Sequence, residues 1–285
     1  MTSRLDPRYF QMSVLGLLLS YGVFYLRFDM TWQRAALIVG TTLATQYLCS
    51  LGWKIPFDYR SALISGFSLS LFLRTNHWEL AVFAAAIAIL SKFTIRVKGK
   101  HLFNPTNFAI VFMMIFFSRQ IWVSPGQWGN EAIAACFMLG MGSLVVHKSR
   151  RSDITLAFLF FWAAVLFGRS LWMGEPMTIP WHRMQSGVVL LFAYHMISDP
   201  KSTPDSRAGR ILFSALVAAG AGVVHFALFR NNGLLWSLAA CHLLVPFIDK
   251  ILPDRRFQWD GGGDPPGRPY ATSTRNGGSY APVPS

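Results

Sequence analysis

Lys98–Ile110 reads "KGKHLFNPTNFAI" and joins two apolar runs, Trp78 to Ile95 and Pro105 to Val123. Two asparagines, a proline, a histidine and two lysines therefore stand where a membrane helix would begin. Asn104-Pro105 suits a helix entry, because an Asn side chain accepts hydrogen bonds from first-turn amides and Pro is favoured at the first helical position. A cap has no use for Lys98, Lys100, His101 or Asn107. Beside the positive end of a helix those four could also hold an anionic or amide-rich ligand.

Composition places this stretch in a membrane protein. The 285 residues are 53% hydrophobic and only 14% charged, and the mean hydropathy is +0.37, outside the soluble range. The first apolar run, Tyr9 to Leu26, is too long for a signal-peptide core and lacks a small-residue cleavage site, so it reads as a first span. The net charge of +13 lies in short loops between apolar runs, which excludes a nucleic-acid surface. Cys49, Cys136 and Cys241 are scattered in apolar surroundings and point neither to disulfides nor to a metal site.

A span takes about 20 apolar residues, and ten candidates follow: Tyr9 to Leu26, Trp32 to Gly52, Ser61 to Leu73, Trp78 to Ile95, Pro105 to Val123, Gly129 to His147, Ile154 to Met173, Gly187 to Ile197, Gly209 to Phe229 and Gly233 to Ile251. With the amino terminus inside, 19 of the 26 Lys and Arg residues fall on the inner side, so both termini are expected in the cytoplasm. Residues 1–8 are then a cytoplasmic start, 9–252 the transmembrane domain and 253–285 a Gly-, Pro- and Ser-rich cytoplasmic tail without an apolar face.

Corresponding spans of the two halves start about 120 to 130 residues apart. Because each half has an odd number of spans, the halves should be inverted. The expected fold is an all-α integral membrane protein of about ten helices in a 5+5 inverted repeat, with short third and eighth segments. Broken segments at matching places in two inverted halves are a device for building a site at the repeat interface.

A second polar cluster, "HMISDPKSTPDSRAGR" from His195 to Arg210, follows the short eighth segment. Asp199-Pro200 and Thr203-Pro204 make turns, and a well-built loop would explain them. By the charge count it lies on the same membrane face as Asn104, so one shared site is expected. His225 and His242 fall in adjacent spans and could pair as haem ligands, although no ligand spacing supports this. No phosphate loop, nucleophile elbow or paired-carboxylate arrangement appears in the sequence.

The two clusters carry a family resemblance. "GKHLFNPTNFAIVF" resembles the "GxNPFNPAxxG" helix entry of RnfD and NqrB, membrane subunits of ion-translocating electron transport complexes, and "HMISDPKSTPDSRAGRILF" resembles their "FFMATDPVTAPxTxxGRLIYG". "DYRSALISGFSLSLFL" and "LLWSLAACHLLVPFIDK" are similar to two further family motifs, in the same order. The resemblance runs from Asp58 to Lys250, roughly two thirds of the chain.

It implies a ten-helix, urea-transporter-like fold in the bacterial inner membrane, partner redox subunits, and flavin. It also implies a subunit of an oxidoreductase complex, not an enzyme acting alone. Family members carry covalent FMN on a threonine of an "SGAT"-like motif on the outer side, and bind riboflavin. Here the loop after span five is "SPGQWGNE", without threonine, and Thr178 in "GEPMTIPW" stands in an unmatched setting. This argues against covalent FMN and leaves FMN or riboflavin held non-covalently, with the chain closest to short RnfD-like members. Asn104, Asn107, Asp199 and Thr203 are the expected hydrogen-bonding groups, and Lys100 or Lys201 the expected cation beside a reduced flavin. A conduit for a small polar solute and a non-catalytic scaffold are the alternatives, since fold alone does not transfer chemistry.

Overall fold

The computed structural model describes residues 6–26, 29–124 and 152–257. The sixth expected span, Gly129 to His147, lies outside the described residues, as do Cys136 and the tail.

Among the described residues three helices are long and apolar enough to cross a membrane: α2 (Trp32–Gly52), α6 (Ser152–Met173), and α9 (Arg207–Gly222) with its π-helical continuation Val223–Ala227. α10 (Gly233–His242) and α11 (Val245–Ile251) form a fourth crossing if taken together, bent by 52°. Pro246 sits at the start of α11. It has no N–H for the helical ladder and its ring would meet the carbonyl one turn back, so the expected tenth span breaks there.

The remaining helices are shorter. α1 (Pro7–Phe24) and α4 (Trp78–Thr94) flank α3 (Tyr59–Phe72), and α5 is Pro105–Phe116. α7 (Thr178–Met184) precedes α8 (Gly187–Leu191), which runs on as a π-helical turn, Phe192–Met196. The 14 residues of α3 rise about 21 Å at 1.5 Å each, short of the roughly 30 Å hydrocarbon layer. The third and eighth segments are thus short, as the sequence indicates.

The described residues are mostly helical, as expected, and carry two short antiparallel ribbons besides. At one end of the bundle α3 passes into β1 (Leu73–Thr75), which pairs with β4 (Ile121–Val123) in the register Leu73↔Val123, Arg74↔Trp122, Thr75↔Ile121. Span five, expected to reach Val123, leaves the helix after Phe116 before the polar run Ser118-Arg119-Gln120. Backbone groups released where two helices stop short then satisfy one another. At the other end β2 (Arg96–Val97) pairs with β3 (Lys100–His101) through a two-residue turn, Lys98 at φ 50° and Gly99 at φ 81°. Two positive φ values are what a tight hairpin matching strand twist requires, and Gly adopts one without a Cβ penalty.

α2 packs on α3 and α4, α4 on α5, α6 on α9, and α9 on α10, while α5 and α10 meet across the middle. Small residues allow the close approaches. A Cβ on Gly66 would lie 2.7 Å from Thr42 Oγ1 and 3.2 Å from Val39 Cα, and one on Gly220 would collide with Ser237 Oγ. Buried hydroxyls fasten helices to neighbouring carbonyls: Ser237 Oγ donates to Val217 O (2.7 Å), Ser214 Oγ to Ile154 O (3.0 Å) and Thr155 Oγ1 to Ala193 O (2.9 Å).

Candidate functional site

The Asn104 loop and the Asp199 loop meet. Asn104 caps α5, its Oδ1 accepting from Asn107 N at 3.1 Å. Its Nδ2 crosses to the other loop, donating to Met196 O (3.3 Å) and Asp199 Oδ2 (3.4 Å). Asp199 organises its own turn, with Oδ1 accepting from Lys201 N (3.1 Å), Oδ2 from Ser202 Oγ (3.0 Å), and its carbonyl from Thr203 Oγ1 (2.8 Å). Residues 92 and 95 positions away in sequence thereby become one hydrogen-bonded unit.

Asn107 does different work. It is fully buried, and its side-chain amide reaches two backbone groups of α10, the nitrogen donating to Leu235 O (3.3 Å) and the oxygen accepting from Ala239 N (3.2 Å). Asn107 thereby clasps α5 to one turn of α10. Lys100 turns away from the Asn104 loop and bridges Asp205 (3.0 Å) and Asp249 (2.7 Å); Asp249 also accepts from Asp205 N (2.9 Å). Of the six expected site residues, Asn104, Asp199 and Lys201 line one cleft, whereas Lys100, Asn107 and Thr203 serve as fasteners beside it.

That cleft encloses about 80 Å³. The first turns of α1, α3 and α5 open onto it through Arg8, Ser61 and Thr106, and Lys92, His101 and His195 complete its wall. Arg8 is held by Asp6 (2.7 Å) and Asp58 (2.7 Å), and Arg60 by the same two acids (3.0 and 3.4 Å). Lys92, only 4% exposed, donates to Ser61 O (3.1 Å) and Oγ (3.0 Å). His101 Nε2 and His195 Nδ1 are buried with no hydrogen-bond partner among the described residues. Burial, reinforced by the charges of Lys201, Arg96, Lys92 and Arg256, pushes the His101 imidazole well below its usual 6.5.

A second cavity, about 880 Å³, lies at the opposite end of α5. Trp122, Trp162 and Trp236 supply apolar faces; Arg183, His225 and Arg230 supply polar edges. Arg183 Nη1 lies 2.7 Å from His225 Nε2. Trp162 is 6% exposed, and its indole N–H has no acceptor among the described residues. Of this wall the sequence singled out His225 but not its tryptophans and arginines, because it assembles from the segments around α5, α6, α8 and α10. Thr178 is exposed at the start of α7 and is not part of that wall. His225 belongs to this cavity, while His242 packs between Phe103 and Phe213 near the other end, so the haem pairing has no shared site.

Residues 124–258 match the model of the NQR2, RnfD, RnfE family, which bears out the resemblance drawn from the motifs. The second-half motifs fall inside the matched range; "DYRSALISGFSLSLFL" and "GKHLFNPTNFAIVF" precede it. Among curated proteins, the RnfD component of the ion-translocating oxidoreductase complex of Tolumonas auensis is 33% identical over 80 residues, covering 28% of this chain and 23% of that protein. The component of the same name from Escherichia coli K12 is 26% identical over 123 residues, covering 43% of this chain and 34% of that protein. Its Salmonella newport counterpart is 26% identical over 125 residues, with the same coverage. The matched part thus spans between about a quarter and a third of these relatives' length.

Proposed function

We propose that this protein is an integral subunit, in a bacterial inner membrane, of a redox assembly whose other subunits carry the remaining electron-transfer centres. The observation that carries the reading is the bond from Asn104 to Asp199, which joins the two motif loops of the family resemblance into one unit at the amino-terminal end of α5. Two halves with like packing, α2 on α4 and α4 on α5 beside α6 on α9 and α9 on α10, support the 5+5 inverted repeat, and the charge asymmetry supports cytoplasmic termini.

For a flavin, the cleft is a poor fit. Ligand sites for molecules of that size run to about 300–1,000 Å³, and the cleft encloses about 80 Å³, with Asn104, Asn107, Asp199 and Thr203 already bonded to protein. The large cavity fits a flat anionic ligand. Trp122 and Trp236 offer stacking faces, Arg183 and Arg230 offer charge to a phosphate or a reduced ring, and the orphaned Trp162 N–H offers a donor to a ring carbonyl. FMN or riboflavin, when bound, supplies reversible one- and two-electron transfer; the chain supplies orientation, cationic charge and exclusion of water. Titrating detergent-purified, full-length protein with FMN and riboflavin tests this. Binding should quench flavin fluorescence and weaken about tenfold in Arg183→Gln, as loss of one charge-assisted hydrogen bond implies. Absence of bound flavin together with absence of uptake would remove the flavin from the reading.

One observation favours a conduit as the second reading: Ser65 lines the cleft at one end of α5 and Ser186 the cavity at the other. Liposome flux of a small polar solute, blocked by Ser65→Leu or Ser186→Leu, would support it; flux unchanged by either would exclude it.

A further inference from the structure

The small cleft has a chemistry of its own, independent of any flavin. Three helices of 18, 14 and 12 residues present their amino-terminal turns to it. Amide hydrogens and the helix dipoles there favour negative charge. α3 has no side-chain hydrogen bond at its cap, so its first-turn amides are not satisfied in that way. The buried ammonium of Lys92 sits against this turn through Ser61.

Two imidazoles, each more than nine-tenths buried, line the same space with ring nitrogens that meet no partner among the described residues, His101 Nε2 and His195 Nδ1. Leaving such atoms dry and unpaired is destabilising, and a ligand that bonds them recovers the loss. The acid in the described wall, Asp199, has both oxygens engaged in its own loop and by Asn104. Lys201, Arg96, Lys92 and Arg256 all place positive charge near His101. Room for one water takes about 10–15 Å³ on this measure, so about 80 Å³ admits a small polyatomic ion and excludes a ring system.

We propose that the cleft at the amino-terminal ends of α1, α3 and α5 binds one phosphate-sized oxyanion, held by Lys92, the first-turn groups of Ser61 and Thr106, and His101 and His195. The ion is either free inorganic phosphate or the phosphate of an anionic phospholipid reaching in from the membrane surface. Bound there, it meets the first turn of α3, which has no side-chain cap bond, and completes the hydrogen bonding of the buried imidazoles.

Equilibrium dialysis of delipidated, full-length protein in detergent against radiolabelled inorganic phosphate, at constant chloride, is the test. The expected result is saturable binding of about one ion per chain, weakened at least tenfold in Lys92→Met and in Thr106→Val and unchanged in Arg119→Gln, which removes an equal charge beyond the other end of α5. Thr106→Val keeps the test open if Lys92→Met fails to fold. Retention of one phospholipid in native mass spectrometry, lost in the same two variants, with no binding of free phosphate, would assign the ion to a lipid headgroup. Neither phosphate binding nor phospholipid retention, or binding that both variants leave intact, would overturn the proposal.

Discussion

Asn104 Nδ2 stands 3.4 Å from Asp199 Oδ2 and 3.3 Å from Met196 O while Asn104 Oδ1 caps α5, so one side chain both starts a helix of the first half and holds a loop of the second. Asn104→Ser keeps a cap and loses the crossing bonds; Asn104→Ala loses both. Thermal unfolding in detergent should rank wild type above Asn104→Ser and Asn104→Ser above Asn104→Ala. The last step should cost about 0.5–2 kcal/mol for the cap alone. Equal stability of the two variants would mean that the cap contributes nothing.

Asn107→Ala should loosen the contact between α5 and α10. Without the amide, Leu235 O and Ala239 N lose their side-chain partners, and removing a buried hydrogen-bonding group costs about 1–3 kcal/mol. Thermal unfolding in detergent should occur at a lower temperature in Asn107→Ala than in the wild type. An unchanged melting temperature would show that Asn107 does not fasten the two helices.

Lys100 holds Asp205 and Asp249 together. Lys100→Met should destabilise by about 2–3 kcal/mol, below the full cost of stripping a buried pair because Asp249 is 20% exposed. Adding Asp249→Asn to Lys100→Met should restore part of the loss. A double variant no better than the single one would contradict an ionic role.

At the start of α1, burial by itself would raise the Asp6 carboxyl, but hydrogen bonds from the Arg8 side chain and backbone and the charges of Arg8 and Arg60 outweigh it and hold the group below its usual 3.8. A carboxyl depressed on folding stabilises fully above its unfolded value and loses that contribution as pH falls through the folded one. Asp6→Asn should therefore lower the melting temperature at neutral pH. The gap to wild type should narrow as the pH is taken below 3.8; a constant gap would assign the effect to packing.

Local signals were legible where the chain itself supplies both partners. Asn104-Pro105 announced the cap, and the polar breaks after Leu73 and before Gly187 announced the short segments. The bend at Pro246 between α10 and α11 was not read, because the apolar run Gly233 to Ile251 is continuous across it. The ribbons were not legible, because strands of two and three residues carry too little alternation to register. Asn107 showed its spacing from Asn104 but not its target, since the Leu235 carbonyl and Ala239 amide are backbone groups of a distant helix. The large cavity escaped for the same reason: Trp122, Trp162 and Arg183 come together only after packing.

Membership of a redox assembly is tested by isolating the full-length chain from its native membranes in mild detergent and recording an oxidised-minus-reduced absorption spectrum of the purified complex. The chain should elute with partner subunits, and the complex should show a reducible chromophore in fixed ratio to the chain. Elution of the chain by itself, or with partners that show no reducible centre, would contradict membership.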